Sequence, residues 1–240
     1  MFERTLIMGG PNTGKTFQIL KIYEALLDLG VDYHIIDLED KLEAAVISLE
    51  LPMPKNFNIC LTWEEYKEAI DNLTIKPSSW ILVDRHDLSW NMVQRWFTQQ
   101  KYEEELADKM LKASKDMKAK TSRFIPRFDQ GSWQVINEAY ESLMLKLLYR
   151  FRCNIVLTAG IRGAEENNPL DIFSHIGVAP RGQKDLPHQP HSIFLLRYNR
   201  KGEDKSWAIT TAKDLKNRVW YNNEPLFDFY GQYVSEYWKP

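Results

Sequence analysis

Two cysteines in 240 residues, Cys60 and Cys153, are too few for a disulfide framework. Both stand in apolar, strand-like runs, which suits reduced, buried thiols. No apolar run approaches the roughly 18 residues that a bilayer-spanning helix needs. The opening "MFERTLIMGG" enters a short strand at once and offers no signal-peptide core. The expectation is a soluble protein of the cytoplasm with no membrane partner. Net charge is small as well, −2, which excludes a surface uniformly suited to coating nucleic acid. A local basic site remains open, because net charge does not say where charges sit. Internal repeats and low-complexity tracts are absent too.

What is present is an ordinary globular composition, 44% apolar and 27% charged, in a length that one domain can fill. Apolar runs alternate with helical patterns, as in an α/β fold with a mostly parallel central sheet and crossover helices. Strands are expected at 5–8, 32–37, 56–61, 80–84 and 154–160. Helical spacing follows the first at Phe17, Leu20, Tyr23 and Leu27, with Gly30 placed to end it. Thr62 and Glu65 have the spacing of a capping box. Residues 192–198 and 206–212, joined by "NRKGEDK", read as a C-terminal β-hairpin. Two segments break the rhythm: a helical charged insertion at 98–131 and a long flexible loop at 160–191, rich in Gly, Pro, Asn and His.

The strongest motif is "GGPNTGKT", residues 9–16, which fits G-x-x-x-x-G-K-[ST]. Gly9, Gly10, Pro11, Asn12, Thr13 and Gly14 form a loop whose backbone N–H groups can converge on phosphates at a helix N-terminus. Lys15 can reach the β- and γ-phosphates, and the Thr16 hydroxyl can ligate Mg²⁺. The apolar strand before it and the amphipathic helix after it supply the context that the motif requires. Asp84, at the end of "WILVD", is the matching carboxylate for Mg²⁺. No N/T-K-x-D motif for guanine is present, so ATP is favoured over GTP. One absence raises a question: Arg85 follows Asp84, where many ATPases carry a glutamate that activates water.

The run "IIDLEDKLEAA" after the phosphate-loop helix is similar to that of RecA-like ATPases, in which a glutamate there is the catalytic carboxylate. The order of elements also resembles RecA over roughly 1–100 and 132–230. The resemblance implies a RecA-like P-loop NTPase, with Glu39 as the residue that orients and deprotonates water. The plainer alternative is that Asp37, Glu39 and Asp40 are loop carboxylates capping the next helix. Thr158 stands where such proteins place a sensor of the γ-phosphate; the alternative is a strand-end threonine with no such role. The stretches "WAITTAKDLKNR", "EPLFDFYGQY" and "DLSWNMVQRWF" resemble small phage-encoded RecA-like ATPases, some of them related to single-strand annealing recombinases. That implies host cytoplasm, a homo-oligomer, and Lys213 reaching a neighbour's nucleotide, with Lys216 and Arg218 as second choices; the alternative is that all three are ordinary solvated charges. Arg85 and His86 depart from RecA proper.

RecA-like proteins bind DNA through loops after these strands, which is where both irregular segments fall. The resemblance therefore implies contacts to single- or double-stranded DNA from Lys112, Lys115, Lys118, Lys120, Arg123 and Arg127, and from Arg162, Arg181 and Lys184. The alternative for the insertion is a solvated helical face, and for 160–191 an untethered surface loop. Three functions fit: a DNA-acting ATPase of viral recombination, replication or repair; a packaging or translocating motor; and an ATP-dependent switch with little turnover.

Overall fold

The computed structural model describes residues 2–119, 128–164, 173–201 and 204–238. Strand β1 (Arg4–Gly9) lies inside an eight-stranded sheet. Its members are β2 (Tyr33–Asp37), β3 (Phe57–Ile59), β4 (Trp80–Asp84), β5 (Asn154–Ala159), β8 (Ser192–Lys201), β9 (Asp204–Asp214) and β10 (Glu224–Pro225). The order is β10-β9-β8-β1-β5-β4-β2-β3. From β8 to β3 every neighbouring pair is parallel, whereas β8–β9 and β9–β10 are antiparallel. The fold is thus the expected α/β one, closed at one edge by the hairpin.

Side chains of period two send each inner strand to both faces. Leu6, Met8, Ile81, Val83, Ile155 and Leu157 pack with Trp63, Tyr66, Phe97, Ile136 and Tyr140. These last come from helices α3 (Trp63–Asp71), α4 (Ser89–Tyr102) and α6 (Gln130–Leu145). Ile7, Ile35, Leu82, Val156 and Phe194 face the other way, onto α1 (Lys15–Asp28), α2 (Leu42–Ser48) and the aromatic tail at Phe229 and Tyr233. Buried on both faces, such strands read as continuous apolar runs, which is why β4 and β5 stood out in the sequence.

Helix boundaries follow local chemistry. The Thr62 hydroxyl accepts from Glu65 N while the Glu65 carboxylate accepts from Thr62 N, completing the capping box of α3. Helix α1 ends with Gly30 N and Val31 N donating to the carbonyls of Leu27 and Leu26, the pattern of a glycine C-cap.

The charged insertion contains α5 (Leu106–Ala119). Lys109 lies 3.1 Å from the centre of the Tyr102 ring, and Lys112 pairs with Glu104 at 2.7 Å. Lys120, Arg123 and Arg127 lie outside the described residues, as does the side chain of Lys118. The segment read as a loop at 160–191 holds two short antiparallel strands, β6 (Ile161–Gly163) and β7 (Val178–Pro180). Three-residue strands are too short to register as periodicity. Residues 165–172 of that segment lie outside the described ones. Among the described residues no helix is long and apolar enough to cross a membrane.

Candidate functional site

The parallel strands end together. Asp37 pairs in register with Asp84, Val83 with Leu157, and Ile7 with Thr158. One carboxyl edge therefore presents Gly9, Thr158, Asp84 and Asp37 side by side, where ligands bind in open α/β sheets. Beside them runs a cleft of about 600 Å³ lined by the phosphate loop, Glu39, Lys41, Arg85, Gly160, Ile161 and Arg181. A larger groove of about 900 Å³ passes Trp63, Trp96 and Leu143 on the outside of α3 and α6. The chemistry-bearing residues are in the smaller one.

The loop backbone explains its glycines. Gly14 takes φ 87°, in the left-handed region that a side chain disfavours. A Cβ at Gly9 would meet the Leu196 carbonyl oxygen at 2.9 Å. Lys15 Nζ folds back to donate to the carbonyls of Gly9 at 2.9 Å and Gly10 at 2.7 Å, and the Thr13 hydroxyl also donates to Gly10 O. Burial, with the nearby Arg85 charge, lowers the Lys15 pKa.

Asp84 is fully buried, and burial raises its pKa despite two hydroxyl donors. Thr16 Oγ1 donates to its Oδ2 at 2.7 Å, and Thr158 Oγ1 makes a short bond to its Oδ1. Thr158 in turn accepts from Arg85 N at 2.8 Å. One carboxylate thus ties the phosphate-loop threonine to the strand-end threonine. A hydroxyl and a carboxylate are hard oxygen donors of the kind Mg²⁺ takes, with phosphates and water completing its shell. No cluster of three or more His, Cys, Asp or Glu among the described residues could hold a metal alone.

The acidic run after β2 divides its labour. Asp37 accepts from the backbone N–H groups of Glu39, Lys41 and Leu42, each at 2.8 Å, so it is the residue that caps α2 and fixes the turn. Glu39 faces the cleft instead. Its carboxylate is held by Arg85 Nη1 at 2.7 Å and by Lys41 Nζ at 2.9 Å. Arg85 adopts φ 59° directly after Asp84, which swings its side chain back across the strand ends. The same guanidinium clasps buried Asp87 through Nε at 3.0 Å and Nη2 at 3.2 Å. Against burial, which lowers it, Asp87 and Glu39 raise the Arg85 pKa. The sequence reading left Arg85 without a role and did not single out Lys41 or Asp87. An Arg-x-Asp pair on a tight turn was the only local signal.

His86 is not in the cleft. Its ring nitrogens contact Tyr66 Oη at 3.0 Å and Tyr140 Oη at 3.1 Å, and burial depresses its pKa to about 4. Lys213 donates to the carbonyls of Pro187, His188 and Pro190, and burial lowers its pKa. Lys216 and Arg218 both bind Glu3, and Arg218 also binds Asp214. All three cations named as reaching a neighbour are thereby engaged within their own chain. Arg181, read from sequence as a DNA contact, lines the cleft.

No family model matches the chain, and no curated protein matches it. Among solved structures it resembles a KaiC-like protein, PH0186, from the hyperthermophilic archaeon Pyrococcus horikoshii OT3. The TM-score is 0.54 at 13% identity, over 93% of this chain and 84% of that one. At that identity the likeness is one of fold, and the chain has the RecA-like α/β fold.

Proposed function

We propose that this chain binds ATP with Mg²⁺ and hydrolyses it, and that it acts on DNA. The observation that carries the reading is the Asp84 carboxylate joined to both Thr16 and Thr158, with Glu39 facing the same cleft. The triphosphate lies along residues 9–16, and Lys15 exchanges its two loop carbonyls for β- and γ-phosphate oxygens. Thr16 and Asp84 are the residues that would hold Mg²⁺, which supplies charge neutralisation on those oxygens when bound. Glu39 accepts the proton of a water whose oxygen bonds to the γ-phosphorus. The bond from γ-phosphorus to the bridging oxygen breaks, and its electron pair leaves with ADP. Arg85 and Lys41 both bind Oε1 of Glu39, which leaves its other oxygen, Oε2, to take that proton. Thr158, bonded to both Asp84 and Arg85 N, is the strand-end sensor that links the metal carboxylate to the clasp.

Support for a nucleic-acid substrate comes from a second hollow, of about 410 Å³, beside the cleft. Trp90 and Trp133 stack there with ring centres 6.2 Å apart and planes 15° from parallel. Asn137, Arg162 and Lys184 complete its wall. Stacked indoles with flanking cations suit the bases and backbone of a single strand. A homo-oligomer and a viral role in recombination, replication or repair extend this reading by the resemblance given above. A translocating motor would share the ATP site and is separated by directional strand displacement. The switch reading draws on the clasp itself, which commits one Glu39 carboxylate oxygen to Arg85 and Lys41. The test is ATP hydrolysis with and without single-stranded DNA at two salt concentrations. Salt-sensitive stimulation is expected; tight ATP binding without turnover in either condition would favour the switch.

A further inference from the structure

Among the described residues four cations face the cleft: Lys15, Lys41, Arg85 and Arg181. Three are already engaged, Lys15 by two carbonyls, Lys41 by Glu39, and Arg85 by Glu39 and Asp87. Among the described residues the Arg181 guanidinium has no hydrogen-bond or ion-pair partner. An exposed, unpaired arginine is ordinary on a convex surface. On the wall of a cleft whose other charges are all committed, it is a site awaiting an anion.

Its position is set by backbone. The β6–β7 ladder pairs Ile161 with Pro180, and the next N–H, that of Arg181, donates to the Gly160 carbonyl at 2.8 Å. Gly160 lies two residues beyond Thr158, just past the end of β5. A Cβ at Gly160 would stand 3.1 Å from Asp87 Oδ2 and 3.8 Å from Arg181 Nε. Arg181 therefore belongs to the end of the cleft that holds Thr158, Asp87, Arg85 and Glu39. On the ATP reading above, on which this inference rests, that is the γ-phosphate end.

Lys213, Lys216 and Arg218 would each have to give up bonds to carbonyls or to buried Glu3 to serve a neighbouring subunit. We propose that Arg181 is a catalytic residue acting in cis: it pairs with the γ-phosphoryl oxygens as charge spreads over them, so one chain completes its own site. Arg181 makes and breaks no covalent bond in this step. Any assembly then serves the grip on substrate and supplies no catalytic charge. The segment that carries Arg181 continues through Gly182 and Lys184 into the wall of the Trp90–Trp133 hollow. A ligand seated there would bear directly on the placement of the guanidinium.

The experiment compares wild type with Arg181→Ala and Arg181→Lys, and adds a complementation arm. The expected results are a turnover loss of about 10³-fold for Arg181→Ala with ATP affinity changed less than about fivefold. Partial recovery is expected for Arg181→Lys, and rescue of Arg181→Ala by millimolar guanidinium ion. Glu39→Gln and Arg181→Ala chains are then co-expressed with different tags and purified through both. Acting in cis, the mixed species stays as inactive as its parts, or no mixed species forms. Restored turnover would mean that Arg181 serves a neighbour's site, and would overturn the proposal. Wild-type turnover by Arg181→Ala would remove Arg181 from the chemistry. A wild-type protein that binds no ATP would instead strike the reading on which the proposal rests.

Discussion

Strand β1 carries a charged cluster at each end, and the two differ in what their charges are bound to. At its amino end, Glu3 is 2% exposed and holds Lys216, Arg218 and His191. Arg218 reaches on to Asp214, to Ser192 Oγ at 3.0 Å and to Tyr233 Oη at 2.6 Å. Every one of these partners is a side chain of the same chain. At the carboxyl end, Lys15 is held only by loop carbonyls, Glu39 by Arg85 and Lys41, and Arg181 by nothing among the described residues. The first cluster closes the chain, joining residue 3 to the tail. The second faces open space with partners that an anion can replace. Side chains of one type thus do opposite work, and the partner shows which.

That contrast can be broken at either end. A large effect is expected from Lys15→Ala, which removes the cation of the phosphate loop: turnover should fall about 10³-fold, while the melting temperature stays close to wild type. Calorimetry with ATP beside a thermal melt checks both halves, and an unchanged turnover would make the loop ornamental. At the other end, Glu3→Gln leaves Arg218 and Lys216 without their carboxylate and should cost about 3 kcal/mol of stability. Denaturant unfolding measures it, and ATP affinity of the folded fraction should not move.

Acid sharpens the same comparison. Burial raises the Glu3 pKa, but its bonds to His191 and Lys216 and the charges of Arg218 and Lys216 outweigh this and lower it below 4.5. Asp214 is likewise lowered below 3.8: burial opposes the shift, and bonds from Arg218 and Lys216 outweigh it. Carboxylates with depressed folded-state values contribute stability that is full above their unfolded values and is lost as pH falls through the folded ones. Unfolding midpoints should therefore drop steeply below about pH 4.5, and Glu3→Gln should flatten that acid limb. The smallest effect is expected at Lys41, 67% exposed and paired to Glu39 at the rim. Lys41→Ala should alter turnover less than about threefold, since exposed pairs contribute under 1 kcal/mol. A large loss would move Lys41 from the rim into the chemistry.

What the sequence made legible follows from range. The phosphate loop, the Thr62–Glu65 box and the Gly30 helix end depend on residues within a few positions, so spacing alone reveals them. Asp84 was readable because a strand buried on both faces ends abruptly in a charge. The arrangements that were not readable all join distant residues. Arg85 meets Glu39 across 46 positions, and only the left-handed turn at Arg85 brings them together. Lys213 looked like a free cation in "TTAKDLKNR", because the carbonyls that cage it lie 23 to 26 residues earlier. Arg181 looked like a surface charge in a loop because β6 and β7, three residues each, carry no period. "IIDLED" offers three carboxylates, and only its resemblance to RecA-like ATPases singles out Glu39 among them. The backbone separates Asp37, turned inward as a cap, from Glu39 in the cleft.

We propose that Glu39, held by Arg85 in this structure, is the base of an ATP-hydrolysing site. The most direct test of this is Glu39→Gln, with Mg-ATP affinity and turnover measured on the same preparation as wild type. The account predicts affinity within about threefold of wild type and turnover reduced by about 10²–10⁴-fold. Turnover at the wild-type rate would contradict it, leaving Glu39 as no more than a rim carboxylate paired to Arg85.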